Sequence, residues 1–313
     1  MDQPTLNPVI DAWLERARSW APASADERSA SREVSDGLFA EFGAFDEDAA
    51  ERTGHRIDAD GRSLRVDEYR PRSLRDETVP AYLSLHGGSF RLGVVDELVN
   101  VALCAHRAAD AGFAVFSLDY RLAPEHPFPA GLDDAVATLS WLVEHAGELR
   151  IDPDAIVIGG VSAGGSLSAG LAVIARDRGL PVRGQLLEVP VVDLRDDGVW
   201  TGRYAALNGF TTIADLRGSY ASAEDARAAP VSPALADLRG LPPTHVMIAE
   251  YDPLRGAAEL FVERLRAAGN DATASMHLGE LHASHSLLRD SRGARLWHAE
   301  VVAVLRELAS RSR

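Results

Sequence analysis

Cysteine is nearly absent from this chain, and long hydrophobic runs are missing altogether. Its single cysteine, Cys104, can form no intramolecular disulfide, so an oxidising compartment offers this chain no benefit. Cys104 lies in an apolar run with helical character, which favours a buried structural thiol over a catalytic one. No stretch approaches the ~18 apolar residues of a membrane span, and the first residues do not have the pattern of a signal peptide. We therefore predict a cytoplasmic protein.

Basic residues are also in short supply. The chain has 32 basic and 47 acidic residues and a formal net charge of −15. This charge would repel the phosphates of nucleic acid and an anionic membrane surface, so neither is expected as a partner. The length of 313 residues and the hydrophobic fraction of 46% fit one large α/β domain that carries an extra lobe.

The hydrophobic patterning predicts α/β organisation. In residues 1–50, apolar side chains at helical spacing predict two helices before any strand, the second at about 34–42, and a hairpin that turns at Asp60-Gly61 follows. Residues 51–313 are predicted to form a mostly parallel sheet flanked by helices. Strands are predicted at 81–85, 114–118, 155–158, 185–189, 245–249 and 272–277, and helices at 98–111, 132–145, 163–176, 254–268 and 294–309.

One interval, at about residues 194–230, separates two predicted strands by far more than a usual connection. We interpret it as a helical insertion that forms a cap together with the N-terminal helices. The cap would cover the carboxyl edge of the sheet, where open α/β sheets bind their ligands. Aromatic side chains are candidates for lining an acyl pocket there, although ordinary packing between cap helices is favoured for each one alone: Trp13, Trp20, Trp200 and Phe210.

The main chemical motif is Gly160-Val161-Ser162-Ala163-Gly164, which follows one predicted strand and precedes a predicted helix. This context is typical of a nucleophile elbow, in which a tight turn raises the serine hydroxyl above the sheet. Ser162 would also lie at a helix N-terminus, where unpaired N–H groups favour developing negative charge. Taken alone, the motif is also compatible with a glycine-rich turn that carries an exposed serine.

A second motif, His86-Gly87-Gly88-Ser89, stands at the end of the strand at 81–85. Gly87 and Gly88 can present backbone N–H groups to an oxyanion, and Ala163 can present a third. His86 is expected to shape this loop by hydrogen bonds and not to act as the base. A simple Gly-Gly turn is the alternative.

An acid and a base can also be assigned. Asp252 follows the strand at 245–249, where it can orient an imidazole, although Asp followed by Pro is also a good helix start. Among the histidines near the last strand, His282 lies in the loop where a base should stand, and His285 is its main rival. His277 belongs to the strand and His298 to the final helix. The resulting order of Ser162, Asp252 and His282 is that of α/β-hydrolases.

These residues resemble the hormone-sensitive-lipase-like branch of the α/β-hydrolases, the bacterial family IV esterases, from about residue 55 to the C-terminus. The most specific similarity is the run Asp119-Tyr120-Arg121-Leu122-Ala123-Pro124-Glu125-His126-Pro127-Phe128-Pro129-Ala130. The resemblance implies hydrolysis of short- to medium-chain acyl esters without a metal or cofactor, and it leaves a homodimer open. The chain departs from the family pattern at three places: Val161 replaces Asp, Ser89 replaces Gly, and Ala283-Ser284 replaces Gly-Phe.

The expected reaction is covalent. His282 would deprotonate Ser162, Asp252 would orient His282, and an acyl-enzyme would form and then be hydrolysed. The same residues would serve acyl transfer, lactone opening or the tailoring of a natural product. A non-catalytic ligand-binding protein on the same fold is a further alternative, because some relatives are receptors that lack a working histidine.

Overall fold

The computed structural model describes residues 6–44, 46, 48–59, 61–196, 198–200, 202–209 and 212–310. Its central sheet has the strands β1 (Glu51–Ala59), β2 (Arg62–Arg70), β3 (Val79–Leu85), β4 (Ala114–Asp119), β5 (Ile151–Val161), β6 (Gly184–Glu188), β7 (Thr244–Ala249) and β8 (Ala272–His277). Their order is β1-β2-β4-β3-β5-β6-β7-β8. The first two pairs in this order, β1–β2 and β2–β4, are antiparallel, and all other neighbours are parallel. The predicted α/β fold with a mostly parallel sheet is confirmed.

The hairpin at the sheet edge has the predicted pairing, with Ile57 opposite Leu64. Both side chains are buried in the core, as the alternation of apolar and polar residues requires. Gly61 has φ of 78°, a conformation in which glycine avoids the strain of other residues. Asp60, the other predicted turn residue, lies outside the described residues.

Two helical layers cover the sheet. Helices α4 (Ala130–Glu144), α5 (Ala163–Arg178) and α7 (Arg255–Ala267) pack on one face, and α3 (Leu98–Ala111) and α8 (Arg292–Ser310) pack on the other. Successive strand residues serve opposite layers, because side chains alternate across a sheet. In β7, for example, Met247 contacts the α3/α8 layer and Ile248 the α4/α5/α7 layer.

The N-terminal segment forms α1 (Pro8–Ser19) and α2 (Glu27–Phe42). The second helix begins earlier than the apolar pattern predicts, because the Asp26 side chain accepts the N–H of Ser29 and caps it. Helix α1 buries Ile10 and Leu14 against Leu281 and its neighbours in the loop after β8. The N-terminal helices therefore lie over the carboxyl edge of the sheet.

The insertion between β6 and β7 is less helical than the predicted lobe. Its described residues hold the short α6 (Ile213–Arg217) and three 3-10 turns, Gly202–Asn208, Asp225–Arg227 and Pro233–Leu235. Within the part of the chain that the structure describes, no helix is both long and apolar enough to cross a membrane.

Candidate active site

Ser162 occupies the turn between β5 and α5 in a strained conformation, with φ of 55° and ψ of −116°. The flanking glycines allow the turn to pack tightly. A Cβ atom on Gly160 would lie 2.3 Å from the carbonyl oxygen of Leu85, and one on Gly164 would lie 2.0 Å from the same atom. The N–H of Ser162 donates to the carbonyl of Glu188 at 2.9 Å, which ties the turn to β6. The serine therefore stands rigidly at the N-terminus of α5.

The glycine loop after β3 lies directly against this serine. A Cβ atom on Gly87 would come within 3.5 Å of the Ser162 Cβ, so the Gly87 backbone approaches the predicted nucleophile closely. Gly88 has φ of 123°, and a Cβ atom there would lie 2.0 Å from the carbonyl oxygen of Leu92. A side chain at Gly88 would therefore collide with the loop backbone, and one at Gly87 would crowd the turn that carries Ser162.

His86 holds this loop in place. One ring nitrogen, Nδ1, lies 2.7 Å from the carbonyl oxygen of Gly87, and the ring stacks on Tyr120 at 4.2 Å. The Tyr120 hydroxyl donates to the backbone oxygen of His86 at 2.8 Å. Burial lowers the pKa of His86 to about 4, so its ring is neutral near pH 7. The Asp119-Tyr120-Arg121 run thus supports the glycine loop, the predicted oxyanion loop, through its tyrosine.

Asp252 and His282 meet where the loops after β7 and β8 adjoin. The Oδ2 atom of Asp252 lies 2.7 Å from Nδ1 of His282, and both residues are buried. The Oδ1 atom of Asp252 also accepts the N–H of Leu254 at 2.9 Å. The carboxylate is therefore placed to orient the imidazole, and it also holds the turn that leads into α7. The alternative that Asp252 caps the helix is wrong, because α7 begins at Arg255 with Leu254 as its N-cap and without a side-chain cap.

The rival histidines have other neighbours. His285 is buried 5.6 Å from the ring of Trp297, and burial lowers its pKa to about 4. The Nε2 atom of His277 lies 3.0 Å from Glu300, and that of His298 lies 2.7 Å from Asp110. Of the four candidate histidines, the structure places His282 on the acid.

A cavity of about 660 Å³ joins these groups. Its wall includes Gly87, Gly88, Ser162 and His282, and the cap helices contribute an apolar side. Of the candidate pocket aromatics, Trp13 lines this cavity. Trp20 packs over Gly37 and Trp200 packs against the core, as ordinary packing predicts, and Phe210 lies outside the described residues.

Another groove, of about 750 Å³, lies beside β1 and α4 and holds none of the predicted site residues. Its lining is mainly polar, with Arg56, Arg62 and Glu144 on its walls. Among the described residues, no group of three or more His, Cys, Asp and Glu side chains could hold a metal ion.

Comparison with known proteins places this geometry in a family. Residues 82–286 match a family model described as the alpha/beta hydrolase fold. The chain belongs to this α/β-hydrolase family. The predicted assignment to its hormone-sensitive-lipase-like esterases is confirmed by the relatives that the chain resembles.

The relatives are esterases from several organisms. Carboxylesterase NlhH of Mycobacterium tuberculosis is 41% identical over 214 residues, which span 66% of this chain and 66% of the relative, just under two thirds of its length. Ethyl acetate hydrolase of Pseudomonas putida is 33% identical over 85% of this chain and 87% of the relative. The solved structure of a hyperthermophilic esterase from Pyrobaculum calidifontis is 30% identical, covers 98% of this chain and 100% of its own, and has a TM-score of 0.85.

The structure shows what surrounds the departures from the α/β-hydrolase pattern. Ser89 has φ of 53°, a left-handed conformation that the glycine of the family would adopt without strain. Val161 and Ala283 line the same cavity, and Val161 also packs against the α3/α8 layer. Ser284 uses its hydroxyl to accept the N–H of Leu281 at 2.9 Å, which closes the turn that carries His282.

Sequence reasoning missed a buried ion pair behind the hydrolase elbow. The Nη2 atom of Arg107 in α3 lies 2.9 Å from the carboxylate of Glu188 at the end of β6, and the Trp297 indole donates to the same carboxylate at 2.8 Å. Glu188 also accepts the Ser162 N–H through its backbone oxygen. The sequence does show a glutamate at the end of an apolar strand, which indicates a buried charge. It does not show the partner of that charge, because Arg107 lies 81 residues away in the chain.

Two polar residues on the cavity wall were also missed. Glu97 is buried, and burial raises the pKa of its carboxyl group to about 6. Asn208, in the insertion, accepts the backbone N–H of His282 at 2.8 Å. Neither residue belongs to a recognisable motif, so the sequence held no signal that could have marked them.

Proposed function

We propose that this α/β-hydrolase is a serine carboxylesterase that cleaves short- to medium-chain acyl esters. The observation that carries the proposal is the Asp252–His282 pair at 2.7 Å, whose His282 lines the cavity that also holds Ser162 and the glycine loop. Relatives named carboxylesterase, ethyl acetate hydrolase and esterase support the same reaction class.

Each group has a defined task in the proposed reaction. His282 takes the proton of Ser162 as the serine oxygen attacks the ester carbonyl, while Asp252 holds the imidazole in the required tautomer. The N–H groups of Gly87, Gly88 and Ala163 stabilise the oxyanion, and each preorganised donor is worth roughly 3 kcal/mol. His282 then protonates the leaving alcohol and activates the water that releases the acid.

The size of the cavity favours a small substrate. Its volume of about 660 Å³ lies within the range of pockets that enclose small organic ligands. Its apolar wall comes from the cap helices, α3 and the loop after β8, and includes Trp13, Leu38, Phe39, Val99, Leu103 and Leu287. An acyl chain of a few carbons would bury its methylene groups against this wall, at ~0.8 kcal/mol for each group.

The proposed partner is a small-molecule ester, with no metal or cofactor required by the mechanism. The formal net charge of −15 disfavours nucleic acid and anionic membranes as partners. We place the enzyme in the cytoplasm because its one cysteine, Cys104, is a free, buried thiol. A homodimer is part of the same proposal, and light scattering of the purified chain tests it.

A chain-length panel of p-nitrophenyl esters tests the activity. We expect the highest kcat/KM for short and medium chains, with Ser162→Ala and His282→Ala reduced by at least about 10³-fold. His285→Ala should keep most of the turnover, because among the described residues it is His282, and not His285, that forms a hydrogen bond with Asp252. Turnover that survives His282→Ala but not His285→Ala would reverse the assignment of the base.

A fluorophosphonate probe separates catalysis from mere binding. The proposed nucleophile should be labelled in the wild type and unlabelled in Ser162→Ala. A wild-type chain that binds esters without labelling or turnover would instead be a ligand-binding protein. Product analysis with an added alcohol detects acyl transfer, since a transferase would form the new ester.

A further inference from the structure

Asn208 ends the 3-10 turn Gly202–Asn208 in the insertion between β6 and β7. The following residue, Gly209, has φ of 72°, so the chain leaves the turn in a left-handed conformation that suits glycine. The Asn208 side chain is partly buried on the wall of the cavity that holds Ser162 and His282. The insertion thus delivers one amide group to the catalytic loops.

This amide makes three short hydrogen bonds to backbone atoms. Its Oδ1 atom accepts the N–H of His282 at 2.8 Å, and its Nδ2 atom donates to the carbonyls of Tyr251 at 2.7 Å and Tyr204 at 2.8 Å. Both N–H donors of the amide are therefore used. If the amide were rotated by 180°, its NH₂ group would face the N–H of His282 and its oxygen would face the carbonyls of Tyr251 and Tyr204. Neither contact could form a hydrogen bond, so the network fixes the orientation of the amide.

The bonded partners adjoin or include the catalytic acid and base. Tyr251 precedes Asp252, so Asn208 joins the loop of the acid to the loop of the base. The same two loops are also joined directly, because the N–H of Tyr251 donates to the carbonyl of Glu280 at 3.0 Å and the N–H of Gly279 donates to the carboxylate of Glu250 at 2.7 Å. Asn208 adds the insertion to this assembly as a third element.

We infer that Asn208 is a positioning residue that holds His282 against Asp252, an inference that rests on the proposed esterase function. Through Asn208, the geometry of the triad depends on the position of the insertion between β6 and β7. Asn208 reaches no reacting atom in the mechanism and acts through the backbone of its neighbours. Displacing a catalytic group by about 1 Å can lower a rate 10²-fold. Loss of the amide should therefore lower kcat more than it raises KM.

Asn270 provides a matched control far from the cavity. Its Oδ1 atom accepts the N–H of Leu241 at 3.0 Å, and its Nδ2 atom donates to the carbonyls of Leu238 at 2.6 Å and Leu265 at 3.0 Å. Like Asn208, it thus accepts one backbone N–H and donates to two backbone carbonyls. Asn270→Ala should lower Tm at least as much as Asn208→Ala but leave kcat unchanged.

The experiment measures kcat, KM and Tm with p-nitrophenyl butyrate for wild type, Asn208→Ala, Asn270→Ala and Ser162→Ala. We expect a 10- to 100-fold lower kcat for Asn208→Ala, with KM within about 3-fold of wild type. A second variant, Asn208→Asp, keeps an acceptor for the His282 N–H and adds a negative charge. It should raise the acidic-limb pKa of kcat/KM, because an anion at the backbone N–H of His282 favours the charged form of that residue's ring.

The outcomes separate this inference from the proposed function. If Asn208→Ala matches wild type in kcat while Ser162→Ala is inactive, the inference is wrong and the esterase function stands. The inference is also wrong if Asn208→Asp keeps the wild-type pH profile, a result that is informative even when Asn208→Ala fails to fold. If the wild type shows neither turnover nor fluorophosphonate labelling, the proposed function itself is wrong.

Discussion

The buried pair Arg107–Glu188 should be essential to the stability of the elbow. Glu188 is 0% and Arg107 2% exposed, and the two side chains are 2.9 Å apart. Burial by itself would lower the pKa of Arg107, but Glu188, Tyr82 and Cys104 together outweigh it, and the pKa is raised. Arg107→Met would leave the Glu188 carboxylate buried with the Trp297 N–H but without its cation.

The expected cost follows from this burial. Removing one member of a buried ion pair typically costs about 3–5 kcal/mol, because the remaining charge keeps its desolvation penalty. At roughly 2 °C for each kcal/mol in a chain of this size, Tm should fall by about 6–10 °C. Turnover should fall as well, since the Glu188 backbone oxygen accepts the N–H of Ser162.

A double variant makes the sign of the effect testable. In Arg107→Met/Glu188→Leu, no charge is left buried, and the main loss is the acceptor of Trp297, which costs about 1–3 kcal/mol. The double variant should therefore be more stable than Arg107→Met alone. Urea denaturation of wild type, both single variants and the double variant gives the coupling energy directly. Arg239→Met is the control, because Arg239 pairs with Asp237 on the surface, and its Tm should not change.

Additive costs would refute this reasoning. If the double variant lost as much stability as the two single variants together, the charges would not be coupled. A cost below about 1 kcal/mol for Arg107→Met would show that solvent or another group compensates the Glu188 carboxylate.

Three further variants test other features of the site. Gly164→Ala should abolish turnover and lower Tm, because its Cβ would lie 2.0 Å from a backbone oxygen of β3, whereas Gly147→Ala, with nothing within 4 Å, should match wild type. Glu97→Gln should stabilise the chain by up to about 2 kcal/mol at pH 8 but not at pH 4.5. The Glu97 carboxyl has a pKa of about 6 in the folded state and about 4.5 in the unfolded state. Between these two values the folded state keeps a proton that the unfolded state has lost, so the stability of the wild type falls as the pH rises. Equal gains in urea denaturation at both pH values would exclude this cause. Val161→Asp should lower Tm without raising turnover, since Val161 packs against apolar neighbours, and a gain in kcat without loss of stability would contradict this reasoning.

The local pattern of the chain was sufficient to predict most elements of the sheet. The predicted helix at 98–111 coincides with α3, and the strand at 272–277 coincides with β8. These elements are encoded by apolar residues at periods of 3.6 and 2, which can be seen in any short window. The start of α2 was missed because a single cap, Asp26, extends the helix beyond its apolar stripe.

The sequence by itself determined the α/β order, the glycine-flanked turn at Ser162 and the candidates for acid and base, since each depends on a few consecutive residues. Only the tertiary structure decided which histidine meets Asp252, because His282 and His285 belong to the same short loop and differ in the direction of their side chains. It also decided that Arg107 neutralises Glu188 and that Asn208 bonds to both catalytic loops. Such contacts join residues far apart in the chain, and their energies depend on burial and distances that no local pattern records.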